Sequence, residues 1–236
     1  MWRTWNPVTG CTKVSEGCLH CYAERMAKRL YLMGQSKYSN VFQVTCHESS
    51  LQEPLKWKKP QLIFTCSMGD MFHENVPETF IFRIFDIMNR ASWHIFQVLT
   101  KRAERLRTLA PKLKWSPNIW MGVTVESERQ IKRIPYLIST EAAIKWLSLE
   151  PLLTAISNLP LSGIDWVILG GETGPQARPI KEEWIIEIRD QCITNNVPFY
   201  FKQWGGISRK QSRCLLQGRE WKQTPKSFNH IDTLPI

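Results

Sequence analysis

Cys11, Cys18 and Cys21 fall within eleven residues of one another, in the stretch GCTKVSEGCLHCYAE from Gly10 to Glu24, with six and then two residues between them. A polar, glycine-bearing loop is a poor place for core thiols, and clustered cysteines in a chain read as cytoplasmic point to metal or catalytic chemistry before disulfides. Four readings are open. The first is buried structural thiols. The second is a structural zinc site, which needs four closed ligands and would draw the rest from His20, Cys46, His47 or Cys66. The third is a redox pair at Cys18 and Cys21, which leaves Cys11 unexplained. The fourth is an iron–sulfur cluster on three thiolates, which uses all three and leaves one iron open for a ligand.

A second set of chemistry-bearing residues follows short apolar runs. These are Asp70 in CSMGDMFH, Lys101 in VLTKR, Glu126 in GVTVES, Glu150 in LSLEPL, Glu172 in ILGGETG, and Lys202, Gln203 and Trp204 in YFKQWGG. If the runs are parallel strands, their ends deliver these side chains to one mouth, where chemistry gathers in barrels and open sheets. Lys101, Glu150 and His73 are the catalytic candidates, with His73 a general acid or base or a loop histidine holding a structural hydrogen bond. Asp70, Glu126, Gly170, Gly171, Glu172, Arg178, Lys202 and Gln203 are the cofactor-binding candidates. The glycines admit a ligand close to the backbone, and cations among carboxylates suit a zwitterionic ligand.

The elements that must position these groups alternate. Strands are predicted over Leu62–Cys66, His94–Thr100, Ile119–Val125, Ile144–Leu149, Trp166–Leu169 and Pro198–Gln203, with Met1–Trp5 and Val41–Cys46 as two more. Helices are predicted over Cys21–Met33, Pro77–Arg90, Arg102–Leu109, Ser127–Ile138 and Lys181–Asn195. Met26, Leu30 and Met33 share a face of the first, and Ile81, Ile84, Phe85 and Met88 share a face of the second. Pro77 suits a first helical turn. Up to eight strands in βα order predict an α/β fold, a complete or partial (β/α) barrel with mainly parallel strands, with a doubly wound open sheet as the alternative. Residues 1–206 are expected to form the barrel domain, and residues 207–236 an irregular, basic extension packed on it or trailing from it.

Thirty-one Lys and Arg against twenty-one Asp and Glu leave a formal charge of +10, which favours anionic partners such as DNA or RNA. The excess gathers at 101–114 and at 202–226, the latter including Lys202, Arg209, Lys210, Arg213, Arg219, Lys222 and Lys226. Trp57, Trp115, Trp204 and Trp221 lie in or beside basic segments, as base-stacking platforms or as half-buried packing residues. No secretory signal or bilayer-length apolar run is present, so a cytoplasmic protein without membrane contact is expected. Cys46, Cys66 and Cys192 are read as buried, and the Trp2 and Trp5 pair as packing.

A three-cysteine loop entering the first helix of a βα-barrel resembles the radical S-adenosylmethionine superfamily, in which the open iron of a [4Fe-4S] cluster chelates the amino acid end of the cofactor. The chain resembles more closely a phage-associated family with a three-cysteine motif, of largely unassigned function and read as a divergent branch of that superfamily. The matching segments are TWNPVTGC, SEGCLHCYAE, SMGDMFHENVP, VLTKR, GVTVE, LSLEPLL, DWVILGGETGPQARPI and PFYFKQWGG. The commoner spacing in the superfamily is three then two residues, its aromatic precedes the last cysteine, and its glycine-glycine-glutamate element follows the second strand; SMGD, ending in Asp70, is nearer that place here. The resemblance implies that Cys11, Cys18 and Cys21 ligate the cluster, that S-adenosylmethionine is bound at the mouth, and that an electron donor is required. The expected activity is generation of a 5′-deoxyadenosyl radical, with nucleic acid or a nucleotide as substrate. The alternative is a zinc-stabilised nucleic-acid-binding protein without radical chemistry, and a third reading is a cluster-bearing enzyme driven by light or electron transfer.

Overall fold

The computed structural model describes residues 3–207 and 214–226. Trp2 and the cations Arg209, Lys210 and Arg213 lie outside the described residues. Seven strands form one sheet: β1 (Arg3–Trp5), β2 (Leu62–Thr65), β3 (Ile95–Thr100), β4 (Ile119–Thr124), β5 (Ile144–Leu149), β6 (Trp166–Gly170) and β7 (Phe199–Gln203). Every ladder is parallel and the spatial order is the chain order. A doubly wound sheet needs a reversal of strand order, and this sheet has none. The architecture is a partial (β/α) barrel: among the described residues no ladder joins β7 to β1.

Five helices follow strand ends: α1 (Tyr22–Leu32), α2 (Glu78–Arg90), α3 (Ala103–Leu109), α4 (Ile134–Ile138) and α5 (Glu182–Thr194). The predicted face of α2, Ile81, Ile84, Phe85 and Met88, is buried in the main core. Alternation sorts the strands: on β4, Ile119, Met121 and Val123 join that core, while Trp120 joins Trp146 and Trp166 in a second cluster. Burial on both faces explains why these strands read as nearly unbroken apolar runs. In the second cluster the ring centroids of Trp120 and Trp146 lie 6.3 and 6.2 Å from that of Trp166.

Several expectations are corrected. Val41–Cys46 is not a sheet strand: only Thr45–Cys46 is extended, pairing antiparallel with Val8–Thr9 outside the main sheet. Val41 sits at φ +52°, a left-handed conformation that breaks an extended run. Ser127–Ile138 is a 3₁₀ segment, Glu128–Arg133, leading into the short α4. Pro77 caps α2 instead of entering its first turn. On α1 the buried residues are Ala23 and Ala27, whose small side chains pack with Met68; of the predicted face Leu30 packs against them, while Met26 and Met33 face solvent. Cys66 and Cys192 are buried as expected, and Cys46 is only half-buried.

Of the extension, residues 207 and 214–226 are described. Strands Leu215–Leu216 and Arg219–Glu220 form a hairpin whose turn residues, Gln217 and Gly218, both have positive φ. Beyond it the chain lies against β7, with Phe201 N–H donating to Trp221 O at 2.8 Å and Gln223 N–H to Phe199 O at 3.1 Å. No helix among the described residues is long and apolar enough to cross a membrane.

Gly122 on β4 faces Trp146 across the β4–β5 ladder, and a Cβ there would lie 2.5 Å from Trp146 Cε2. Gly122→Ala should therefore cost about 1–3 kcal/mol through overpacking. Urea unfolding checks this as a lower midpoint with an unchanged m-value.

Candidate functional site

The segment after β1 crosses the ends of the other strands, and it carries the three cysteines. Cys11, Cys18 and Cys21 line one cavity of about 700 Å³, together with Lys13, Glu24, Phe42 and Asn75. Cys11 Sγ accepts from Arg102 Nη1 at 3.3 Å, and Cys18 Sγ lies 3.8 Å from Ser15 Oγ. Cys21 is the N-cap of α1, at the positive end of the helix dipole, where anionic ligands are favoured. Burial, reinforced by the Asp70 carboxylate and opposed by Arg102, pushes the Cys11 thiol up to about 11. A metal binding there must release that proton. None of His20, Cys46, His47 and Cys66 is among the residues lining the cavity. Among the described residues no three His, Cys, Asp or Glu side chains are arranged around a single ion.

The strand-end carboxylates hold this loop. Asp70, 6% exposed, accepts from Thr100 Oγ1 at 2.8 Å, from the N–H groups of Phe72 and Lys101, and from Arg102 Nη1 at 3.3 Å. Arg102 also donates to Thr12 O at 3.2 Å and to Thr12 Oγ1 at 2.9 Å. Glu126 is fully buried; Arg133 Nη1 donates to it at 2.7 Å and Ser15 Oγ donates to its other oxygen. Gly17 is required beside it, because a Cβ would meet Glu126 Oε1 at 2.9 Å. Glu172 takes two bonds from the Arg178 side chain, at 2.7 and 2.9 Å, and lies 3.2 Å from His20 Nδ1. Arg178 reaches on to Glu16 O at 3.0 Å, and Ser127 Oγ donates to the Glu16 carboxylate. Three candidate cofactor ligands thus spend their oxygens on protein partners, two of which, Ser15 and His20, belong to the cysteine loop.

The remaining candidates are distributed differently. Lys202 Nζ lies 3.1 Å from Glu150 Oε1, and Gln203 Nε2 is 3.4 Å from the same oxygen. Gly170 leaves room for that carboxylate: a Cβ there would sit 2.7 Å from Glu150 Oε1. Gly171 packs on Trp204 O instead. Lys101 is half-buried and its ammonium makes no ion pair among the described residues. His73 is fully buried; Asn75 N–H donates to Nδ1 at 3.1 Å, which leaves the hydrogen of a neutral ring on Nε2, 2.8 Å from Thr12 Oγ1. Burial, helped by Arg102, lowers its pKa, so His73 braces the loop as a neutral ring.

Most cations of the first basic stretch are engaged within the protein. Arg102 is buried, Arg105 donates to His73 O and Val76 O, Arg107 lies over the Tyr136 ring at 4.7 Å, and Lys112 pairs with Glu78 at 3.2 Å. The tryptophans beside the basic segments pack as well: Trp204 Nε1 donates to Leu215 O at 2.9 Å, and Trp221 is flanked by Arg189 and Arg219. Sequence reasoning missed Arg102, Arg133, Ser15 and Thr12. Arg133 had a signal, since it lies seven residues beyond Glu126. Arg102 had none apart from the basic run containing it.

Fold and site define a partial (β/α) barrel with a three-thiol loop strapped across the ends of its strands. Residues 1–225 match the family described as "Protein of unknown function (DUF5131)", and the chain belongs to that family. No curated protein and no solved structure matches it.

Burial would raise the Glu172 carboxyl, but the side-chain and backbone bonds from Arg178, with His20, outweigh it and hold it down to about 2. The stabilisation is complete above the ordinary value of 4.5 and is lost as pH falls towards about 2. Glu172→Gln should lower the urea midpoint at neutral pH and flatten its decline across that window. A mutant-to-wild-type difference that stays constant from pH 6 to pH 2 is the contrary result.

Proposed function

We propose that the protein is a radical S-adenosylmethionine-type enzyme whose three-thiol loop holds a [4Fe-4S] cluster. The observation that supports this reading is the placement of Cys11, Cys18 and Cys21 on one cavity at the strand-end face. The donor set fits: such a cluster takes one thiolate per iron, so the thiols need not close on one point, and an iron without a cysteine stays open. A structural zinc ion asks for four donors at one centre. When bound, the cluster and S-adenosylmethionine supply a one-electron reductive cleavage that yields a 5′-deoxyadenosyl radical for hydrogen abstraction.

The chain's own residues have separate tasks in this reading. Asp70, Glu126 and Glu172, with their arginines, hold the loop still. Glu150, Lys202 and Gln203 remain at a more open part of the mouth, where Lys202 is 52% exposed, and can meet the polar end of a ligand. Lys101 supplies a cation for a carboxylate or phosphate. Nucleic acids and nucleotides are the first substrates to offer, because the net charge of +10 favours anionic partners.

The test uses anaerobically purified protein reconstituted with iron and sulfide, then incubated with S-adenosylmethionine and dithionite. The expected result is bound iron and 5′-deoxyadenosine, with product falling to the protein-free level in Cys11→Ala, Cys18→Ala and Cys21→Ala while their circular dichroism stays wild-type. Full product from Cys11→Ala rules out the assignment. Colourless protein holding tight zinc, with no cleavage, replaces it with the zinc-stabilised reading.

A further inference from the structure

Arg102 commits each of its donors to the site. Nε donates to Glu74 Oε2 at 2.9 Å, Nη1 to Cys11 Sγ and to Asp70 Oδ2, both at 3.3 Å, and Nη2 to Thr12 O at 3.2 Å and Thr12 Oγ1 at 2.9 Å. A guanidinium has five N–H groups, and five acceptors meet them. The side chain is 7% exposed, so water screens this charge little, and a planar fork held on three sides cannot swing away from the sulfur. Of its two carboxylate partners Asp70 is buried, whereas the Glu74 side chain is 63% exposed.

We infer that Arg102 is a positioning residue that fixes Cys11 Sγ and raises the reduction potential of the group bound there; the inference rests on the cluster proposed above. One-electron reduction adds one negative charge, shared between the cluster and its sulfurs. A fixed cation in hydrogen-bond contact with one of those sulfurs stabilises the reduced form, and hydrogen bonding to sulfur and net local charge are the levers that set such potentials. Glu74 works against this lever by neutralising the same guanidinium from the solvent side. Loss of the two charges should therefore shift the potential in opposite directions, which a purely structural role for Arg102 does not produce.

The experiment compares wild type, Arg102→Gln, Arg102→Lys and Glu74→Gln after anaerobic reconstitution, reading iron per chain and the midpoint potential by EPR-monitored redox titration. With iron content equal to wild type, the expected midpoints are more negative in Arg102→Gln, intermediate in Arg102→Lys and more positive in Glu74→Gln. A wild-type potential in Arg102→Gln, or a shift of the same sign in Glu74→Gln, overturns the inference. Should Arg102→Gln fail to fold or to hold iron because Asp70 loses its cation, Arg102→Lys and Glu74→Gln decide by themselves, and coincident potentials overturn it. Wild-type protein that assembles no cluster removes the proposed function and this inference together, whereas a wild-type cluster with unmoved variant potentials removes the Arg102 role alone.

Discussion

A carboxylate buried at the end of a strand needs a cation and several donors to offset its lost hydration, and this partial barrel places three such groups on one face. Asp70, Glu126 and Glu172 are at most 6% exposed, and each has an arginine: Arg102, Arg133 and Arg178. Removing one partner of a buried pair typically costs about 3–5 kcal/mol, because the other charge is left in a medium that cannot solvate it. The lone pairs and N–H groups left over must also be satisfied, and the nearest polar chain is the cysteine loop. Ser15, Thr12, His20 and the Glu16 backbone fill that need. The loop's path across the mouth follows from neutralising the strand ends.

The scaffold under this arrangement is apolar on both sides. Alternate strand residues face the helices, while the opposite face carries Trp120, Trp146 and Trp166. A parallel sheet buried in this way has few places for a charge except its ends, which is why the polar residues concentrate there. The β7 edge, otherwise a row of free backbone groups, is covered by residues 221–223 returning along it.

Charges that read as a binding surface in one dimension divide into two kinds in three. Arg102, Arg105, Arg107 and Lys112 are tied to neighbours within the fold. Lys101, and Lys202 with its Glu150 partner, remain near the mouth, so the part of the site open to a ligand is smaller and more cationic than the count of strand-end residues implies. The thiols join the first kind through Arg102, which donates to Cys11 Sγ, and the cavity they line includes Glu24 of α1 but none of Asp70, Glu126, Glu150 and Glu172.

The order of elements was legible in the sequence, because buried parallel strands leave short apolar runs and the helices between them keep a 3.6-residue face. So were the cysteine loop, by its clustering, and the acidic strand ends, by their recurrence after successive apolar runs. Periodicity failed where burial did not follow it: of the predicted face of α1, Leu30 packs beside Ala23 and Ala27, while Met26 and Met33, on the flank of that stripe, stay in solvent. It also failed over Val41–Cys46, where the left-handed backbone of Val41 lies in a turn in place of the predicted strand. Which cation would meet which carboxylate was invisible, because Asp70 and Arg102 come from adjacent strand ends and only the strand register brings them together. By itself the sequence determined the βα alternation and the positions of the cysteine loop and the strand-end acids; the tertiary structure alone decided that the acids clamp the cysteine loop, since desolvation, which forces charges to pair, exists only once the chain is packed.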